Sequence, residues 1–322
     1  MLISVLVITY NQEKYIRKCL DSILEQKGDF QLEILVGNDK SPDSTERVLK
    51  EYENDKRFII LNRKKNIGAT KNLYDLFKKA KGEYIAVLEG DDFWTDTKKI
   101  QKQIKVLEDN EDGILCFSYS HTVDENGNIV GEKFQPIYTI NNIKELILNR
   151  NGIPTGTILF KNIFLENKEN NCDGRGIEEF LTTSNIIGDL PLFAFLIKLG
   201  KFYNLKEKTG AYRYIKSDST SFSSMAAIKQ NIELEKVIIG IKKYYGSEYS
   251  FFINCYLNRR RKAHIKILKK EKKDFKKYRN SLNLEEKVSL FLYNIFSPLD
   301  NLRYSLYKKK IKKSINNNLF NL

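Results

Sequence analysis

The chain predicts an α/β fold with a mostly parallel central sheet and helices on both faces. Three observations carry this. Apolar, β-branched runs alternate with stretches of helical period in the order β-α-β-α-β-α-β over roughly ninety residues. The runs stay apolar along their length, which marks strands buried on both faces. Each run also ends in polar residues, and ligands of open α/β sheets bind beyond the carboxyl ends of strands.

The elements follow in order. Ile3 to Thr9 reads as the first strand, and Asn11 is placed to cap the helix after it. In that helix Tyr15/Ile16, Cys19/Leu20 and Ile23/Leu24 recur on one face. Glu33 to Asn38 is a second strand, followed by a helix from about Asp43 with Val48, Leu49 and Tyr52 on one side. Phe58 to Leu61 is a third strand, and the next helix carries Leu73, Leu76, Phe77 and Ala80. Tyr84 to Leu88 is a fourth, ending abruptly at Glu89-Gly90-Asp91-Asp92. A helix around Ile100, Ile104 and Leu107 then precedes a strand from Ile114 to Tyr119. Asn126-Gly127 signals a hairpin turn within Asp124 to Asn128. Ile153 to Phe160 reads as a strand, Asp189 to Leu199 as a helix that tolerates Pro191 in its first turn, and Phe202 to Leu205 and Gly210 to Tyr214 as two short strands. From Met225 onward helices dominate, interrupted near Gly246 and at Ser297-Pro298.

Composition narrows the function classes. The chain has 322 residues, 41% apolar and 30% charged, with a mean hydropathy of −0.45, which describes a globular protein with a real core. Cys19, Cys116, Cys172 and Cys255 form no CxxC pair, and the only histidines are His121 and His264. A structural zinc site and a disulfide framework are therefore not expected. The opening residues run straight into the first strand, so no secretory leader is expected, and no stretch approaches the ~20 apolar residues of a membrane span. Charge is uneven. Residues 225–322 hold 23 Lys and Arg against 8 Asp and Glu, whereas 1–224 hold 32 against 33. That asymmetry divides the chain into a domain at 1–224, itself read as two halves, 1–120 and 121–224, and a basic helical region at 225–322.

Three carboxylates in four residues, Glu89, Asp91 and Asp92, close the fourth strand. Their mutual repulsion in a crevice is relieved by a cation, and a hard divalent ion sharing its shell with phosphates meets that need. An acidic turn that caps the next helix is the simpler alternative.

The motifs around this cluster resemble the family 2 glycosyltransferases, whose nucleotide-binding half has the GT-A fold. The matching pieces run in order: Val5 to Asn11, Leu20-Asp21-Ser22-Ile23, Asn38 to Asp43, Asn66-Ile67-Gly68 with Lys71-Asn72, and Gly82 to Trp94. The resemblance implies a nucleotide-sugar donor, a divalent metal (Mn²⁺ or Mg²⁺), a carbohydrate acceptor and inversion at the anomeric carbon. Thr9, Tyr10 and Asn11 would line the base pocket, with Tyr10 against the nucleobase or packed in the core, and Asp39 would accept from the base or form a turn. Lys71 stands where the family often has Arg, and a lysine cannot make the bidentate contact. Glu89 or Asp91, beside Gly90, would contact the ribose, and Asp91 or Asp92 would reach the metal. The family's Asp-x-Asp motif thus begins with Glu here. Asp189, in Gly188 to Phe193, would be the base that takes the acceptor proton, unless it is only a helix cap; Glu178 and Glu179 are alternative bases. Thr155 and Gly156 would face the acceptor, and Trp94 would be its platform or a core wall. Arg213, in a Tyr212-Arg213 pair, would clamp a phosphate or form a surface ion pair. Relatives often carry His two residues later, where Ile215 stands here, so Lys216 or Ser219 would compensate.

Basic clusters such as Arg259 to Lys262, Lys269-Lys270 and Lys308 to Lys310 lie among apolar residues of the last third. An anionic membrane surface or plain solvent could face them; nucleic acid ranks last because lysine dominates and the front half carries a nucleotide-site pattern. The expectation is a cytoplasmic enzyme, peripheral to the inner face of the membrane, that builds a surface polysaccharide or lipopolysaccharide-type glycan on an acceptor that can be lipid-linked. Two other classes stay open: a sugar-1-phosphate nucleotidyltransferase, although Thr9 to Lys14 lacks the Gly-rich basic loop those enzymes place after the first strand, and a non-catalytic membrane-surface protein with a degenerate donor site.

Overall fold

The computed structural model describes residues 1–131, 139–149, 153–165, 174–215 and 226–295. The chain forms two compact units, Met1–Met225 and Ala226–Leu322.

The first unit begins with β1 (Leu2–Thr9), α1 (Ile16–Leu24), β2 (Gln31–Asn38), α2 (Thr45–Lys50), β3 (Phe58–Asn62), α3 (Ala69–Phe77) and β4 (Tyr84–Glu89). It continues through β5 (Phe93–Trp94), α4 (Lys99–Glu108), β6 (Gly113–Val123), β7 (Ile129–Gly131), α5 (Ile143–Asn149), β8 (Leu159–Lys161), α6 (Gly174–Leu181), α7 (Asp189–Leu196) and β9 (Lys201–Arg213). One sheet takes the order β3-β2-β1-β4-β8-β6-β9-β5, with β7 paired to β6.

The first four strands are parallel, as their unbroken apolar runs require. Register places their exits level: Thr9 lies opposite Asn38, Ile8 opposite Glu89, and Asn38 opposite Asn62. The polar ends of four strands therefore share one edge. Beneath it Ile3, Val5, Val7, Ile34, Val36 and Ala86 are fully buried with the inner faces of α1, α2 and α4.

The far ends of these strands are also built closely. A Cβ on Gly82 would stand 2.4 Å from the Ser4 amide nitrogen. The Gly82 amide donates to Ser4 Oγ (2.8 Å), and the Ser4 hydroxyl donates to the buried Glu33 carboxylate.

Four expectations change. Asn11 does not cap α1: it adopts left-handed φ (59°), and α1 starts at Ile16 after a turn, with no side-chain cap. The two strands expected at 202–205 and 210–214 are one, β9, which runs parallel to β6 and bulges where Lys206 takes φ 61°. The strand expected at 153–160 is shorter, because a 3-10 turn at Thr155–Thr157 precedes β8. The helix expected to reach Leu199 leaves α-helical form after Leu196. The hairpin at 124–128 forms, with the Asp124 carboxylate accepting from the amides of Asn126 and Asn128.

The second unit is helical. It comprises α8 (Ala227–Tyr245), α9 (Ser250–Lys270), α10 (Phe275–Ser281) and α11 (residues 284–295). Gly246, at φ 60°, ends α8 where the sequence predicts a break. The break expected at Ser297-Pro298 and the Lys308 to Lys310 cluster lie outside the described residues, as do Cys172, Lys216 and Ser219. Val237, Ile238, Ile241, Ile253 and Leu257 form its apolar centre. Arg261, 2% exposed, joins Glu235 on α8 (2.9 Å) to Glu286 on α11. Among the described residues no helix is long and apolar enough to cross a membrane.

Candidate active site

The level strand exits collect the predicted residues. Asp39, 3% exposed, follows β2, and its amide donates to Thr9 O (3.0 Å). Its two carboxylate oxygens accept from the amides of Ile67 (2.7 Å) and Gly68 (2.9 Å), just before α3. Asp39 thus ties β2 to the start of α3, near the positive end of that helix dipole. Gly68 takes φ 90°, a conformation that favours glycine. The Asn72 side chain donates to Gly37 O (2.7 Å) and packs where a Cβ on Gly37 would clash, which accounts for that glycine. Lys71 is exposed on α3, and Tyr10 is half-buried after β1.

Two residues at these exits hold left-handed φ without being glycine, Asn11 (59°) and Lys40 (61°). Such strain persists only where the surroundings fix it. Here the amides of Asn11, Gln12 and Glu13 donate to Ser41 Oγ, Thr45 Oγ1 and Asp43 Oδ2, all at 2.9–3.0 Å. The β1 and β2 loops are therefore locked together.

Glu89, Gly90, Asp91 and Asp92 follow β4 on the same edge. Glu89 and Asp91 are half-exposed, whereas Asp92 is 4% exposed. Burial holds the Asp92 carboxyl well above the usual carboxylate range, and the charges of Asp91 and Glu89 push it further up. Asp92 Oδ1 accepts from the Arg213 amide (2.8 Å), which offsets this in part. At Gly90 an added Cβ would stand 2.4 Å from Gln12 Oε1 and 2.9 Å from Thr9 Oγ1. Both oxygens are buried and have no hydrogen-bond partner among the described residues. The acid loop thus lies against oxygens whose bonding is incomplete, beside carboxylates that repel one another.

Among the described residues no three His, Cys, Asp or Glu side chains form a cage for a metal on their own. A hard divalent ion bound by one or two carboxylates together with substrate phosphates needs no such cage. The half-exposed pair Glu89 and Asp91 fits that mode. Asp92, buried and bonded to the Arg213 amide, fits it less well.

Arg213 is buried, and among the described residues it forms no ion pair with an acid. It is 4% exposed; its Nε donates to Asp91 O (2.8 Å), and Nη1 donates to Asp124 O (2.9 Å) and Glu125 O (2.8 Å). Its guanidinium lies 4.5 Å from the Tyr15 ring centroid. The residue braces the acid loop through carbonyls, and its charge draws the Asp92 carboxyl back down in part.

Trp94 is a wall. It is 4% exposed, and its Nε1 donates to Gly156 O (2.7 Å). Thr155 is half-exposed, and a Cβ on the buried Gly156 would reach within 3.5 Å of Asp92 Oδ2. Behind Trp94 lies a pair the sequence reading missed. Lys99, fully buried, donates to Gln103 Oε1 (2.7 Å) and sits 4.3 Å from the Trp94 ring centroid. Gln103 Nε2 donates to Thr157 O (2.7 Å). Burial draws the Lys99 ammonium down to about 7. A polar pair four residues apart on an otherwise apolar helix face was the available signal.

Asp189 opens α7, and its carboxylate accepts from the Leu190 amide (2.7 Å). The segment leading to it packs on the start of α3. Thr70 Oγ1 donates to Ser184 O (2.6 Å), and a Cβ on Gly188 would stand 3.2 Å from Thr70 Cγ2. Asp189 is thereby brought beside the helix start that Asp39 holds, from more than a hundred residues away. Glu178 and Glu179 are exposed on α6. Glu178 faces further along α3: burial pushes the Tyr74 hydroxyl up, and the Glu178 charge adds to that.

Volume does not locate this site. A cavity of about 470 Å³ lies within the second unit, lined by Ile232, Ile239, Leu268 and Tyr278 among others, whereas the hollow beside Asp92 holds about 10 Å³. The exits of β1, β2 and β4 carry the strained backbone and crowded acids; the larger cavity carries neither.

Known proteins resemble this chain in sequence and in fold. Residues 4–167 match the family described as Glycosyl transferase family 2. An uncharacterised glycosyltransferase of Methanocaldococcus jannaschii is 37% identical over 147 residues, covering 45% of this chain and 50% of that protein. A Bacillus subtilis protein named TuaG, for a teichuronic acid biosynthesis glycosyltransferase, is 30% identical over 120 residues, covering 37% of this chain and 47% of its own. The chain spans about half the length of the curated relatives it matches. The crystal structure of S. aureus TarS 1-349 in complex with UDP-GlcNAc has the same fold, with a TM-score of 0.60 at 16% identity, over 91% of this chain and 79% of that one.

Proposed function

Since the chain belongs to glycosyltransferase family 2, with a GT-A-like α/β unit followed by helices, we propose that it moves a sugar from a nucleotide diphosphate donor to a carbohydrate acceptor, with inversion at the anomeric carbon. The observation that carries this reading is the meeting of Asp39, the acid loop and the Ser184–Asp189 segment around the exits of β1, β2 and β4 and the start of α3. Donor and acceptor chemistry need one crevice, and these elements come from both halves of the unit.

In this reading Thr9, Tyr10, Asn11, Asp39 and Lys71 hold the nucleoside. UDP is the favoured nucleotide, because the S. aureus TarS structure of the same fold holds UDP-GlcNAc. Glu89, Gly90 and Asp91 face the ribose and diphosphate. Asp91 is the main residue to hold a divalent metal, with Asp92 behind it. When bound, such an ion would neutralise charge growing on the leaving diphosphate. Arg213 keeps the acid loop in place, so its role is positioning rather than a phosphate clamp. Asp189 accepts the proton of the attacking hydroxyl, kept ionised by the start of α7. Thr155 and Gly156 border the acceptor, with Trp94 as the wall behind them. The product would be a cell-surface glycan, in keeping with the name of the B. subtilis relative, and an acceptor carried on lipid suits the basic region 225–322.

The test is Asp91→Asn and Asp189→Asn, made separately and assayed with UDP-, GDP- and CDP-sugars in the presence of Mn²⁺ or Mg²⁺. Each variant should lose about 100-fold or more in transfer while keeping its melting temperature. Transfer within a few-fold of the parent in both would remove the mechanism. Release of pyrophosphate from a nucleoside triphosphate and a sugar phosphate would replace it with nucleotidyl transfer.

A further inference from the structure

The second unit turns an apolar stripe outward. On α11, Leu284 is 78% exposed, Val288 49%, Phe291 62%, Leu292 46% and Ile295 54%. Their spacing places all five within an arc of about 100° on the helix. The opposite side is committed inward. Leu290 and Tyr293 are buried, Asn258 Nδ2 donates to Ser289 Oγ (2.7 Å), and Glu286 holds the buried Arg261. The helix therefore cannot roll its apolar face inward without breaking this clasp.

Burial of apolar area is what ordinarily holds an amphipathic helix to its protein, and here that face is directed to the outside. The charge around it selects what covers it. Residues 225–322 carry 23 Lys and Arg against 8 Asp and Glu. Two copies meeting through this stripe would bring two strongly basic units together, and like charge opposes that contact. An anionic bilayer satisfies both features at once: its headgroups attract the lysines and arginines, and its acyl boundary receives the stripe.

We propose that the outward face of α11 docks the protein on an anionic lipid surface. The stripe inserts to the depth of the headgroup and acyl boundary, and the basic residues of the unit supply long-range attraction. Among the described residues no helix spans a bilayer, so the attachment is peripheral and reversible. This deepens the proposed function, on which it rests only for the claim that docking brings the enzyme to a lipid-carried acceptor.

The test uses the full chain in sedimentation with vesicles of phosphatidylcholine alone and of phosphatidylcholine with about one-third phosphatidylglycerol. Binding should be about tenfold or more tighter to the anionic vesicles and should weaken at about 0.5 M salt. The double variant Val288→Ser/Phe291→Ser should lose about tenfold in binding to anionic vesicles, with its circular dichroism spectrum and hydrolysis of soluble donor unchanged. Three results overturn the proposal: no vesicle binding by the parent, equal binding by the double variant, or a dimer in light scattering that the double variant abolishes. Vesicle binding without any donor hydrolysis would instead count against the transferase reading and leave the docking face standing.

Discussion

Each unit of this protein buries an arginine, and the two arginines do opposite things. Arg213, in the first unit, spends its guanidinium on the carbonyls of Asp91, Asp124 and Glu125, beside the acid loop. Arg261, in the second, lies between the carboxylates of Glu235 and Glu286, and Tyr278 Oη adds a bond to Glu235 (2.6 Å). A carbonyl brace holds the loop's backbone without placing the guanidinium on a carboxylate oxygen, which suits the proposed donor site. A carboxylate clasp cancels charge and simply joins α8, α9 and α11. Identical side chains with similar burial therefore mark a candidate site in one place and a structural joint in the other.

Removing the two arginines breaks the comparison most sharply. Arg213→Met should remove the side-chain donor shared by the carbonyls of Asp91, Asp124 and Glu125 and let the acid loop shift. We expect about a 100-fold loss of transfer, since small misplacements at a reacting centre cost that much, with a lowered melting temperature. Arg261→Met should destabilise the second unit by about 3 kcal/mol, because two acids lose their buried partner. Hydrolysis of soluble donor should remain near the parent level. Chemical denaturation followed beside donor hydrolysis separates the two. Equal loss of hydrolysis in both variants would erase the distinction drawn here.

A smaller effect sharpens it. Lys99 shows the same carbonyl-and-ring style of burial in the first unit, with an amide oxygen and the Trp94 ring as partners. Its ammonium titrates at about 7 in the folded chain, against an ordinary value of 10.5. Between those values the unfolded chain holds the proton more tightly, so stability rises with pH across that window. Below about 7 both states are protonated and the full penalty applies. Lys99→Met should therefore raise the melting temperature near pH 7, with the gain shrinking as pH approaches 10.5. Melting curves of parent and variant across that range provide the check, and a gain independent of pH would contradict the burial argument.

Much of the first unit was legible because its signals are local. The runs of β1, β2, β3 and β4 are largely apolar, so parallel strands with polar ends were legible, while the register that levels those ends was not. The acid loop stood out by charge density, whereas Asp189 was singled out by its likeness to the family's base position. Misreadings came where long-range partners decide local form. Nothing near Asn11 announces a left-handed residue; Ser41, thirty positions away, receives its amide. Likewise β9 reads as two pieces until β6 runs beside it past the bulge at Lys206. A surface position for Arg213 was the misread part, because sequence cannot show that carbonyls from 91, 124 and 125 converge on it.

By itself, the sequence determined that residues 1–94 alternate strand and helix, that the polar residues fall at strand exits, and that charge divides the chain near residue 225. These depend on period and composition, which neighbouring residues set between themselves. Only the tertiary structure decided that Thr70 meets Ser184, that Arg213 is buried against the carbonyls of Asp91, Asp124 and Glu125, and that the stripe of α11 is exposed. Such facts rest on which distant groups satisfy a buried hydrogen bond or cover an apolar face, and that choice exists only once the chain has closed on itself.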